Sequence, residues 1–283
     1  MEPYRTRTMI KLSFIECLRI LRSSKCLILL LCAVFININI IEPIRELSQD
    51  MDAKASFLEP FVALSNSGLV LLFIPLLFVV MMADFPDCSA FRYFYCVRMS
   101  KKRWIAIQLL CIFISTLIYL LTLFLFSVLF SVDYTSVQME FSNAVRYYSA
   151  TFPEKSFSYV ALLFPLNMLN QLSLQEVVAY SVLTLFLYSF FLIQIALLFS
   201  IIGKKIVGIV LDFVIVFAGM VLSSVDTGLQ WLFPLSHTVS WWHFREVASK
   251  PIFPLHYSII YLLSINLVMT ALILHNSKKV SLE

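Results

Sequence analysis

FPDCSAFRYFYCVRMSKKR, residues 85–103, is a polar island between two long apolar runs, and its reading decides the fold. It holds five Lys or Arg residues, opens on Phe85-Pro86, and interleaves its charges with Phe91, Tyr93, Phe94 and Tyr95. The flanking runs, at about 66–84 and 104–131, match the roughly 20 apolar residues that a helix needs to cross about 30 Å of hydrocarbon. If they cross a bilayer, the island is the longest internal loop on the cytoplasmic side, and its aromatics call for a binding partner.

Composition extends this reading to the whole chain. Of 283 residues, 60% are hydrophobic and 13% charged, and the mean hydropathy is +0.90, far from the averages of soluble domains. The expected fold is an all-α polytopic membrane protein forming a single transmembrane domain over residues 1–283. Five glycines leave no room for a glycine-rich phosphate loop, so no nucleotide site is expected on this chain. A net charge of +4 does not suggest nucleic acid. Cys17, Cys26, Cys32, Cys88, Cys96 and Cys111 all fall in segments assigned to the membrane or its cytoplasmic face, which argues against a disulfide framework. Cys88 and Cys96 are too far apart for a close zinc pair and have no neighbouring His, so they read as small apolar filler.

Residues 1–25 carry Arg5, Arg7, Lys11, Arg19, Arg22 and Lys25, while Ile10, Phe14, Cys17, Leu18 and Leu21 recur at helical spacing. That pattern predicts an amphipathic helix in the inner headgroup layer rather than a cleaved signal peptide. Six spans are expected, at 26–42, 66–84, 104–131, 176–202, 206–223 and 255–275. With the amino terminus inside, the cytoplasmic segments hold fifteen Lys or Arg and the longer external segments six. This asymmetry puts both termini in the cytoplasm.

The first external loop, Pro43–Ser65, is acidic through Glu46, Asp50, Asp52 and Glu59 and reads as a solvated cap. In the second, 132–175, a stripe of Val137, Phe141, Val145 and Tyr148 predicts an outer helix that Pro153 stops. The third, 224–254, gathers Trp231, Phe233, Trp241, Trp242, His237 and His243 between prolines. Short, re-entrant-like helices dipping into the outer interface are expected there, with the two histidines as interfacial polar residues and no metal site.

Within the spans Asp212 stands out, since a carboxylate at membrane depth costs roughly 2.5–3.5 kcal/mol on the insertion scale. It reads either as a gate or proton site or, with somewhat greater weight, as the structural partner of a basic residue. Asn37, Asn39, Asn66, Ser67, Gln194, Ser223 and Ser224 are further polar residues near spans that either line a pathway or join helices.

An amphipathic leader, six spans, a helical loop between the second and third, and an aromatic segment between the fifth and sixth together resemble the ABC-2 type permease subunits of ATP-binding cassette transporters. Arg98-Met99-Ser100-Lys101-Lys102-Arg103-Trp104, with Gln108, is similar to that family's basic turn into its third span. The resemblance implies a chain that is not an enzyme by itself. It implies work as a dimer with a second copy or paralogue in a bacterial plasma membrane, with ATP and magnesium bound by separate ATPase subunits. Phe91, Arg92, Phe94, Tyr95 and Arg98 would then form the ATPase-docking face, Asp87 or Ser89 capping its helix and Ser100 capping the third span. The cargo expected is an amphiphilic peptide, antibiotic or lipid-like molecule. An ion-coupled carrier using Asp212, and a membrane protein of peptide sensing or immunity, are the alternatives. An intramembrane protease is disfavoured: His-Glu-x-x-His and adjacent glutamates are absent, and His237, His243, His256 and His275 lie near the ends of spans.

Overall fold

The computed structural model describes residues 2–86, 100–223, 225, 228–245 and 251–279, with residues 2–7 and 278–279 as backbone only. Helices α1 (Glu2–Leu21), α2 (Leu27–Ile36), α3 (Glu42–Asp50), α4 (Glu59–Asn66) and α5 (Gly68–Met81) precede α6 (Lys101–Leu129). After α6 come three short helices, α7 (Asn143–Thr151), α8 (Tyr159–Leu162) and α9 (Leu166–Gln171), and then α10 (Leu174–Ile201), α11 (Lys205–Ser223) and α12 (Leu255–His275). Among the described residues five stretches are long and apolar enough to cross a membrane, Ser24–Asp50, α6, α10, α11 and α12, and the α4–α5 pair makes up to a sixth. The chain is an all-α polytopic membrane protein.

The single helix expected over 66–84 is a bent pair. α4 and α5 meet at 82°, because Ser67 takes an extended conformation between them. α5 alone has 14 residues, a rise of about 21 Å, well short of the hydrocarbon thickness. The first span is longer than expected: α2 runs through a π turn at Asn37–Ile41 directly into α3. Inside that turn Asn39 Nδ2 donates to Phe35 O at 2.9 Å.

Hydrogen bonds and ion pairs gather the chain's connections into two ends. At one end, Lys25 at the start of the first span is ion-paired with Asp84 just after α5 at 2.6 Å. At the other, β1 (Ala55–Ser56) pairs in parallel with β2 (Thr135–Ser136), and Lys155 reaches Asp50 at 2.6 Å. The α4–α5 pair therefore carries the chain from the β1 end back beside Lys25.

Glu59 tightens the β1 end. It is fully buried and accepts from Ser56 N (2.8 Å), Ser142 N (2.6 Å) and Ser142 Oγ (3.0 Å). The first loop is thus no solvated cap, since one of its carboxylates ties it to the second loop. In that second loop the helix begins at Asn143 because Ser142 caps it, its hydroxyl accepting from Val145 N. Phe141, Val145 and Tyr148 are buried as the stripe predicts, but Val137 precedes the helix and is exposed.

α10 is the central column. A capping box of Ser173 and Glu176 opens it, and it is buried along most of its length. Phe186 and Phe190 on α10 meet Phe113 of α6 edge-on at 5.1 and 5.9 Å. α1 lies along the first half of α6, with the small buried side chains of Ser13 and Cys17 allowing close approach. Ser13 Oγ donates to Ile107 O (3.1 Å) and Ser115 Oγ to Cys17 Sγ (3.4 Å). Outside that contact Ile10, Phe14 and Ile15 are exposed, apolar surface suited to lipid.

Candidate functional site

α10 and α11 form a hairpin through Gly203. Its φ of +79° gives the left-handed turn that ends α10, with Lys204 N bonded to Phe199 O at 2.8 Å. α11 then seats one stripe on its neighbours: Gly208, Asp212, Val216 and Gly219. The glycines permit the close approach, for a Cβ on Gly208 would stand 2.7 Å from Phe199 Cβ and one on Gly219 3.0 Å from Leu235 Cβ.

Asp212 lies in the middle of this stripe, fully buried. Among the described residues neither of its carboxyl oxygens has a hydrogen-bond partner, so the expectation that it pairs with a basic residue is not met. The Tyr188 hydroxyl on α10, also without a hydrogen-bond partner, lies close enough to feel the charge of Asp212. Two amides on the other flank of α10 show a related imbalance. Gln194 Nε2 donates to Thr270 Oγ1 (2.9 Å) and Asn266 Nδ2 to Leu187 O (3.0 Å), yet Gln194 Oε1 and Asn266 Oδ1 accept from nothing among the described residues. Asp212 and both amides thus lack donors, and what they call for is positive charge or protons.

The second constellation is the aromatic segment between the last two spans. Its turns at Pro234–His237 and Trp241–His243 fold inward, and His237 and His243 are fully buried rather than interfacial. His237 donates from Nε2 to Trp231 O (2.9 Å), leaving Nδ1 to accept from Ser258 Oγ (2.7 Å). His243 Nδ1 donates to Phe253 O (2.6 Å), and its Nε2 faces Tyr180 Oη at 2.9 Å. Tyr180 also donates to His237 O at 2.7 Å. Its single proton serves one of these two acceptors at a time while His243 is neutral. Trp231 stacks on Phe253 at 4.6 Å and Tyr261 on His237 at 4.2 Å. The ring cluster is clamped to the bundle by Asn167, whose Nδ2 donates to Trp241 O (2.8 Å) and Phe244 O (3.2 Å). A short spacing of His237 and His243 was visible in the sequence, but their partners Tyr180 and Ser258 lie on two different spans.

Burial pushes both imidazoles from the ordinary 6.5 down to about 4, with the Trp231 and Phe253 carbonyls opposing that fall. The unfolded chain therefore binds more protons between those values, so the cluster's contribution to stability is full above about 6.5 and lost as pH falls toward 4. Each ring contributes up to roughly 3 kcal/mol. The expected result is a denaturation midpoint that falls steadily from pH 7 to pH 4.5 when followed by tryptophan fluorescence in mixed micelles. His243→Asn flattens that slope, and an equally steep slope in this variant removes the assignment.

Phe91, Arg92, Phe94, Tyr95 and Arg98, the expected docking residues, lie outside the described residues, as do Asp87 and Ser89. Ser100, which follows them, occupies the N-cap position of α6 with extended backbone, but its side chain makes no capping hydrogen bond, so the expected cap is one of position only. No family model, curated protein or solved structure matches this chain.

Proposed function

We propose that this chain is the membrane-spanning permease subunit of an ATP-binding cassette transporter. In this reading it crosses the bilayer six times, pairs with a second copy or paralogue, and moves an amphiphilic peptide, antibiotic or lipid-like cargo. A separate ATPase subunit supplies ATP, magnesium and force. The observation that carries the reading is where the chain delivers its basic, aromatic island. The Lys25–Asp84 pair holds the amino-terminal side of the island beside the root of the first span, and the field of Lys205 reaches the same carboxylate from the root of α11. The other side of the island leads directly into α6, a continuous 29-residue helix. A push on residues 85–103 is thereby applied to three spans at once, and α6 transmits it about 43 Å along one rigid rod. The β1 end, which carries the long loops, is then the outer face.

The test is copurification. A tagged chain is expected to bring down an ATPase from its native membrane, and Phe91→Asp combined with Phe94→Asp is expected to release that ATPase while membrane insertion is retained. Association that survives the double substitution rules out the docking face.

A further inference from the structure

α11 is held along one narrow stripe. Ile206, Val207, Val210, Val214, Phe217 and Val221 are exposed along it, an apolar flank suited to lipid. Only its small-residue stripe is buried, and the one ionisable side chain in that stripe is Asp212. Among the described residues it has neither a hydrogen bond nor a counter-ion, and a carboxylate sealed in that way costs several kcal/mol even after relaxation. A hairpin that keeps such a residue has a use for its neutral form.

We propose that Asp212 is a proton-binding site, and that its occupancy decides whether α11 stays seated on α10. The groups facing it allow this and little else. From α10 comes Tyr188, whose hydroxyl, like both Asp212 oxygens, makes no hydrogen bond among the described residues. α5, which also packs on α11, carries no titratable residue from Gly68 to Met81. The Pro234–His237 turn brings His237, whose ring nitrogens are engaged by Ser258 and Trp231. The turn at Gly228–Leu232 brings no titratable residue. On α11 itself Lys205 lies seven residues back, about 10 Å along the axis. A dehydrated metal ion needs several oxygens around it, whereas a proton needs one acceptor. The amides of Gln194 and Asn266 are committed through their nitrogens to the α10–α12 contact.

Protonation leaves the interface neutral and closes it. Loss of the proton leaves a charge that must reach water, and the interface has no slack, since a single extra Cβ at Gly208 already meets Phe199 at 2.7 Å. The charge reaches water when α11 lifts or turns about Gly203, the one position between the two helices with left-handed backbone. The site is independent of any ATPase and does not rest on the transport reading.

Infrared difference spectroscopy of the full-length protein in lipid, wild type against Asp212→Asn, reads the site directly. The wild type is expected to show the carbonyl stretch of a protonated carboxylic acid that the variant lacks, and this band gives way to carboxylate bands as pH is raised. Carboxylate bands alone across the accessible pH range overturn the proposal. So does a protonated band that sodium chloride abolishes at constant pH, since the site is then a sodium site. Hydrogen exchange supplies the second readout. Protection of the α11 amides is expected to fall by about tenfold or more across the same titration in the wild type, as expected for local opening, and to stay constant in Asp212→Asn. A pH-dependent loss of protection that persists in the Asn variant overturns the seating role.

Discussion

Glu59→Ala is expected to unfasten the β1 end of the molecule. The wild-type carboxylate accepts from two backbone N–H groups and one hydroxyl, those of Ser56 and Ser142, at 2.6–3.0 Å in a fully buried position. Alanine leaves all three donors without that acceptor, and at about 1–3 kcal/mol for each orphaned buried group the loss is about 3–9 kcal/mol. The damage spreads because both partners are structural nodes. Ser56 belongs to β1, which pairs with β2, and Ser142 is the N-cap of α7. Glu59→Gln keeps one oxygen but turns an amide nitrogen toward a donor, so it is expected to fall between alanine and the wild type. Chemical denaturation in mixed micelles ranks the three proteins, and hydrogen exchange at the Ser56 and Ser142 amides locates the loss. An alanine variant within about 1 kcal/mol of the wild type shows that the ordinary cost of orphaned donors does not apply here, and the staple role then fails.

Why the sequence hides this staple is a matter of distance along the chain. Glu59 follows Lys54 and three earlier acidic residues, and local composition says only that the loop is polar; the partner that makes burial tolerable lies 83 residues away. His237 and His243 were hidden in the same way, since their partners sit 21 and 63 residues away on α12 and α10. The long apolar runs were legible because crossing lipid demands length and apolarity, which are local properties. The break in the second crossing had a local signal too. Ser65-Asn66-Ser67-Gly68 is a run of turn formers, but the six apolar-rich residues ahead of it, 59–64, are too few to register as part of a span. Asp212 announced itself by its type in an apolar segment. What its surroundings ask of it became apparent only from the small-residue stripe and the unpartnered hydroxyl opposite.

Asn66→Leu is expected to release the aromatic segment from the bundle. The Asn66 side chain donates to Ser181 Oγ on α10 at 3.0 Å and accepts from both Ser240 N (2.8 Å) and Ser240 Oγ (2.7 Å). Its own carbonyl takes the Trp241 indole N–H at 3.0 Å. One residue at the elbow between α4 and α5 thus joins three parts of the chain, one of them 174 residues distant. Leucine fills the space but removes the oxygen that accepts from both the Ser240 N–H and its hydroxyl. Hydrogen bonds between spans contribute about 0.6 kcal/mol on average, since the unfolded chain in lipid finds other partners, so the broken bonds alone predict a modest effect. The orphaned groups decide the outcome, because at about 1–3 kcal/mol apiece they raise the expected loss to about 2–6 kcal/mol. Ser240→Ala removes one of the two donors in advance. The double variant is therefore expected to lose less than the sum of the single losses, with a coupling of about 1 kcal/mol or more between residues in direct contact. Tryptophan emission follows the segment itself, since Trp231, Trp241 and Trp242 all lie in it. A leucine variant with wild-type emission and midpoint, or strictly additive losses in the cycle, means that the segment is held by ring stacking and by Asn167 rather than by the elbow. In the transport reading this contact is also the link by which a bend at Ser67 is felt at the outer face, so that the Asn66 variant separates fastening from force transmission: it loosens the cap while leaving the 85–103 island and its partner untouched.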